Sequence, residues 1–186
     1  MRIIALANIA FYITLSSVMA HTPSAEVPKD PARYIAKARR AAPDALVDQA
    51  TYAMRQPDGS FKEVQQGTNG FTCLVMPDGT PACADPGGME WIKAILSGGP
   101  APETSGIVYM MAGDTGMTNH DPYARESHEH WVQTGPHVMM VGKAAREVAK
   151  HYPRSLDPDP TQPFVMFPGT PYEHLKLPVQ EKAHPH

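Results

Sequence analysis

Two cysteines, Cys73 and Cys83, are the whole thiol inventory of this 186-residue chain. Between them stands Pro77-Asp78-Gly79-Thr80, a strong turn signal because proline fixes φ and glycine accepts φ > 0. Folding the chain at that turn sets the two thiols across a hairpin, within reach of disulfide geometry. A bridge closing so short a loop is worth roughly 2.5–3 kcal/mol in the chain-entropy account. The rival is a free thiol pair or half of a metal site, but thiol ligands there usually stand two to four residues apart. The spacing favours a structural bridge, which fixes one β-hairpin early in the fold.

A disulfide needs an oxidising compartment, and the amino terminus supplies the route to one. Arg2 precedes the apolar run Ile3–Leu15, and Val18 and Ala20 stand at the −3 and −1 positions of a cleavage site after Ala20. This pattern predicts a signal peptide over 1–20. Asn8 and the polar 14–17 stretch make the run too short and too wet for a retained anchor. The expected location is periplasmic or secreted, with no membrane span after cleavage.

Without Arg2 the chain holds fifteen basic against nineteen acidic residues, a formal charge of −4. No dense Lys/Arg run exists, which argues against a nucleic-acid partner. Twenty prolines and fourteen glycines imply many turns and extended connections.

The expected organisation is a flexible lead-in over 21–29, a single domain over 30–180 and a disordered His-rich tail over 181–186. Asp30-Pro31 predicts a helix running to Ala42, stopped by Pro43. Thr51–Gln56 and Phe61–Gln66 flank a second Pro-Asp-Gly turn and read as a hairpin. Asn69-Gly70 turns the chain into a third strand over 71–76, suggesting an antiparallel meander. Asp85-Pro86 opens a helix to Ser97, ended by Gly98-Gly99-Pro100. Further strands are expected over 106–112, 136–141, 164–167 and 174–179, with a helix over 143–152 closed by Pro153. Strands grouped early and helices inserted singly predict α+β, an antiparallel sheet with about three helices.

The segment from Asn119 to His137 carries most of the chemistry. In a strand, His128 and His130 would share a face, and His120, His137 or Asp121 could complete a Zn or Cu site. The plainer reading is a solvated loop. His137 and His174 each stand at the entrance of an apolar strand beside turn-forming Gly and Pro. There they could serve as ligands, general bases or core histidines bonded to backbone carbonyls. Met110, Met111, Met117, Met139 and Met140 lie among Val, Tyr and Ile and read as core filling more than as Cu(I) ligands. No G-x-S-x-G elbow is present.

In Asn69-Gly70-Phe71-Thr72-Cys73, Asn119-His120-Asp121-Pro122-Tyr123-Ala124, Gly135-Pro136-His137-Val138-Met139 and Gly169-Thr170-Pro171-Tyr172-Glu173-His174-Leu175, the chain resembles a family of exported bacterial proteins with no assigned activity. The resemblance spans about 33–179. It implies export and a bacterial source, and carries over no catalytic or binding residue.

Three functions follow as expectations. The first is a ligand-binding domain for a small molecule or divalent metal, with Asn119, Asp121, His137 and His174 at its site. The second is a metal-assisted hydrolase using His137 or His174 as base, oriented by Asp121. The third is an envelope interaction or structural protein.

Overall fold

The computed structural model describes residues 29–124 and 129–179. The expected signal peptide, nearly all of the lead-in, the tail and His128 lie outside those residues.

Helix α1 (Pro31–Ala38) starts where the sequence places it. The Asp30 carboxylate accepts the Arg33 backbone N–H at 2.9 Å, and Pro31 takes the first helical position. Its far end tightens into a 3-10 turn over Arg39–Ala41 before Pro43, short of the helix to Ala42 that was expected. A single turn follows as α2 (Asp44–Val47).

Strands β1 (Thr51–Arg55), β2 (Phe61–Gln65), β3 (Thr72–Val75) and β4 (Pro81–Ala84) come next. The β1–β2 and β3–β4 turns are built alike. Asp58 and Asp78 each accept the backbone N–H two residues on, at 2.9 Å, and also bond that residue's hydroxyl. The Pro-Asp-Gly-Ser/Thr repeat is therefore a repeated turn chemistry. Cys73 and Cys83 are direct partners across β3 and β4 and form the disulfide.

Helix α3 (Pro86–Ser97) is capped by Asp85, which accepts Gly88 N–H at 2.7 Å and Ile107 N–H at 3.1 Å. That second bond ties the helix start to β5 (Gly106–Met110). The short pair β6 (Met117–Thr118) and β7 (Trp131–Val132) forms a small sheet of its own. Strand β8 (His137–Val141), helix α4 (Gly142–Ala149), β9 (Phe164–Met166) and β10 (His174–Pro178) complete the chain.

Eight strands make one sheet in the order β2-β1-β3-β4-β5-β8-β10-β9. The α+β class holds, with four helices and a mixed sheet. The antiparallel meander does not: β3 runs parallel to β1 on the edge opposite β2. The connection after β2 crosses back over the start of β1, where Thr68 N–H donates to Gln49 O at 2.7 Å. Gly67 permits the crossing, since a Cβ there would stand 2.2 Å from the Ala50 carbonyl carbon. Asn69 then clamps the crossing, donating to Leu46 O at 2.7 Å and accepting Phe71 N–H at 3.0 Å.

Alternation along the strands sends side chains to two layers. Cys73, Cys83 and Tyr52 pack under Ala38, Ala41 and Val47 on the α1/α2 side. Leu74, Ala82, Ala84, Val108, Met139, Val141 and Met166 pack with Trp91, Ile92 and Ile95 of α3 on the other. Lys176 pairs with Met139 and His174 with Met166, so both polar residues of β10 point into the α3 layer. No helix among the described residues is long and apolar enough to cross a membrane.

Candidate functional site

His137 and His174 open β8 and β10, and their local geometry is the same. Each ring donates Nδ1–H to the carbonyl two residues earlier: His137 to Gly135 at 2.7 Å, His174 to Tyr172 at 3.0 Å. Both side chains are buried. With Nδ1 committed as donor, Nε2 is left as the acceptor of a neutral imidazole. Burial, helped by the nearby Lys176 ammonium, holds His137 down to about 4. Burial does the same for His174, down to about 3. Neither Nε2 has a hydrogen-bonding partner in the protein. His174 is boxed by aromatic rings, with Trp91 at 5.0 Å and Phe167 at 5.4 Å between centroids.

Two further residues that sequence reasoning missed complete this polar group. Lys176, buried, donates to Asp114 Oδ2 at 2.5 Å and to Thr134 Oγ1 at 3.2 Å. Asp114 Oδ1 accepts the N–H groups of Gly116 at 3.0 Å and Thr134 at 2.8 Å. The same carboxylate lies 3.8 Å from His137 Nε2. Lys176 was legible in one respect: it is a charged residue in an apolar strand, two positions from His174 and so on its face. Asp114 carried no signal, because the loop that delivers it has no periodicity.

Above this group opens a cleft of about 320 Å³. Met76, Met110, Met117, Met139 and Met166 line it together with Trp91, Ile95, Leu96, Trp131 and Phe167, while Asp114, His174 and Lys176 are polar members beside Asp78, Thr80 and Thr115. Three of the methionines read as core filling, Met110, Met117 and Met139, therefore border a cavity. Trp131, 41% exposed, covers one side of the mouth. Its indole lies against Gly116, where a Cβ would stand 2.3 Å from Nε1 and where φ is +86°. At the rim, the turn carboxylate of Asp78 accepts the Thr115 hydroxyl at 2.5 Å.

Asn119 and Asp121, expected to face a ligand, sit elsewhere. Asn119 is buried and spends its amide on structure, donating to Ser155 and Leu156 carbonyls at 3.2 and 3.1 Å and accepting Phe167 N–H at 2.7 Å. It thereby holds Phe167, a cleft wall residue with φ +56°, in the left-handed region. Asp121 accepts Tyr123 N–H at 2.8 Å within its own turn and does not border the cleft. The carboxylate beside His137 is Asp114, so Asp121 orients neither histidine. Tyr123 and Tyr172 both donate their hydroxyls to Gly99 O, at 2.9 and 3.0 Å, which latches this loop to the end of α3. Burial, with the Tyr123 hydroxyl beside it, pushes Tyr172 up to about 12.

His130 and His137 do not converge on a common point: His130 Nδ1 meets the Asp157 carboxylate at 2.9 Å, while His137 lies by Asp114. His130, in a left-handed conformation (φ +50°), instead lies beside His120, with ring centroids 6.0 Å apart. Thr118 donates its hydroxyl to Glu129 O, so His120 Nδ1–H is the donor to Thr118 Oγ1, at 2.8 Å. Among the described residues, no three His, Cys, Asp or Glu side chains gather closely enough to hold a metal ion.

No family model matches this chain, and neither a curated protein nor a solved structure matches it.

Proposed function

We propose that this chain is an exported, periplasmic or secreted, binding protein whose cleft takes a small, largely apolar molecule. The observation that carries the reading is a cavity of about 320 Å³, walled by methionine and aromatic side chains, that ends on a buried polar group. Small-molecule sites have that composition: mostly apolar walls with a few placed polar groups, in a volume of about 300–1,000 Å³. Methionine thioethers rearrange at low cost, which suits a site that adapts to its occupant. The disulfide supports the export half of the reading, since such bonds persist in oxidising compartments.

The test uses the mature chain without an affinity tag. Both tryptophans of the sequence line the cleft, so their emission reports on it. Apolar compounds of one or two rings should change that emission and raise the melting temperature, and M117F, which enlarges a lining side chain without adding an indole, should weaken both. A panel that moves neither signal in the folded protein overturns the proposal.

A second reading keeps the divalent metal but moves it to His120 and His130. Metal-ligating histidines commonly donate their other ring N–H to a carboxylate or similar oxygen, as His130 does to Asp157 and His120 to Thr118. Two imidazoles on one tetrahedral zinc hold their centroids roughly 5–5.5 Å apart, close to the 6.0 Å observed. Copper or zinc titration of wild type against H120Q/H130Q decides it, with equal affinity refuting it. A hydrolase built on His137 or His174 has less support, since the expected orienting residue, Asp121, is turned to its own loop. An envelope-partner role would rest on exposed Tyr123 and Trp131, and Trp131 is better accounted for as a wall of the cleft.

A further inference from the structure

The polar end of the cleft restricts what chemistry an occupant can present there. His174 offers an acceptor only: its Nδ1–H is spent on Tyr172 O, its ring is neutral at physiological pH, and Nε2 has no protein partner. Lys176 offers a donor only. An ammonium carries three N–H groups, and two of them go to Asp114 and Thr134. The two side chains are two positions apart on one strand and face the same cleft.

A carboxylate placed here would meet the Nε2 lone pair with its own, and would find Lys176 already neutralised by Asp114. An alkylammonium would meet Lys176 as a like charge in a poorly hydrated site. A hydroxyl satisfies both groups at once, its O–H donating to His174 Nε2 and its oxygen accepting from Lys176. A buried acceptor without a partner is costly, so supplying that partner favours the hydroxylated ligand over its ether or hydrocarbon. Nε2 is closed to solvent in the unliganded protein. Met139 and Met166, cross-strand partners of Lys176 and His174, line the same cleft, and thioether side chains yield to an occupant at low cost.

We infer that the cleft selects neutral, largely apolar alcohols or phenols, anchored by donation to His174 Nε2 and acceptance from Lys176. The inference rests on the cleft being a small-molecule site and names the ligand class for it.

The test is isothermal titration of the tag-free mature protein with 4-propylphenol, its methyl ether 4-propylanisole, propylbenzene, 4-propylbenzoate and 4-propylbenzylamine. The expected result is at least tenfold tighter binding of the phenol than of the ether or hydrocarbon, with the two charged probes weaker than the phenol. In H174F, which keeps an aromatic ring in the box and removes the acceptor, the phenol should fall to the level of the ether. Equal affinity for phenol and ether in wild type overturns the hydroxyl anchor and leaves the cleft reading standing. Tighter binding of benzoate or benzylamine also overturns it. Failure of all five to bind overturns both. Should H174F not fold, the wild-type probe series decides alone.

Discussion

Moving from about pH 7.5 to about pH 5 is expected to remove about 4 kcal/mol of stability through His137 and His174 alone. The sign follows from which state takes the proton. In the unfolded chain both imidazoles titrate near 6.5, whereas in the folded protein burial holds them neutral down to about 4 and about 3. Between those limits the unfolded state binds more protons. Stability is therefore fully present above the unfolded value and is lost as the pH falls through 6.5. Each imidazole contributes about 1.4 kcal/mol per pH unit in that window, so the interval from 6.5 to 5 costs about 2 kcal/mol apiece. The figure depends on the unfolded pKa and the assay pH, and requires only that the folded values lie well below 5. Stopping there also excludes the carboxylates held low in the fold, among them Asp78 and Glu173, whose ordinary values are 3.8 and 4.5. The assay is urea unfolding at half-unit pH steps for wild type, H137F and H174F. Each phenylalanine variant should lose about half of the pH dependence. If H137F/H174F retains the wild-type slope, the buried neutral imidazoles are not its source and the reasoning fails.

K176M leaves the Asp114 carboxylate, only 11% exposed, without its cation and should cost about 2–4 kcal/mol in chemical denaturation, less than the full loss of a buried pair. D114N/K176M should recover part of that loss, and simple additivity of the two substitutions would refute the coupling. N119A removes the acceptor of the buried Phe167 N–H and two further bonds, an expected loss of about 2–3 kcal/mol; a change below about 0.5 kcal/mol would show that Asn119 is not the clamp described. G116A should push the Trp131 indole off its seat, shift the tryptophan emission and weaken ligand binding, whereas unchanged emission would mean that the loop yields instead.

Most elements were legible because their boundaries are local chemistry. Asp30-Pro31 and Asp85-Pro86 cap helices through their own carboxylates, and the two Pro-Asp-Gly turns close hairpins through theirs. The place of β3 was not legible, because it depends on a crossing permitted by Gly67 and pinned through Asn69 to Leu46, a contact spanning 23 residues. The pair β6–β7 is two residues per strand, too short for any periodicity. At the site, His137 and His174 could be named because each opens an apolar strand after a turn. Asp114 could not, since its role comes from Lys176, 62 positions away. Asn119 and Asp121 misled for the opposite reason: polar residues in a turn-rich loop look available, and here their hydrogen bonds go to Phe167 and Tyr123.

The β3–β4 hairpin has two sides with different tasks. Its sulfur bridge lies toward α1, while Leu74 and Ala82, the next pair along, lie toward α3. Beyond them the hairpin tip reaches past the sheet, and there Asp78 grips Thr115 beside the opening. The disulfide at the back thus steadies a doorpost at the front, and reducing it is expected to slacken the mouth of the cavity, where Met76 and Asp78 of the same hairpin stand.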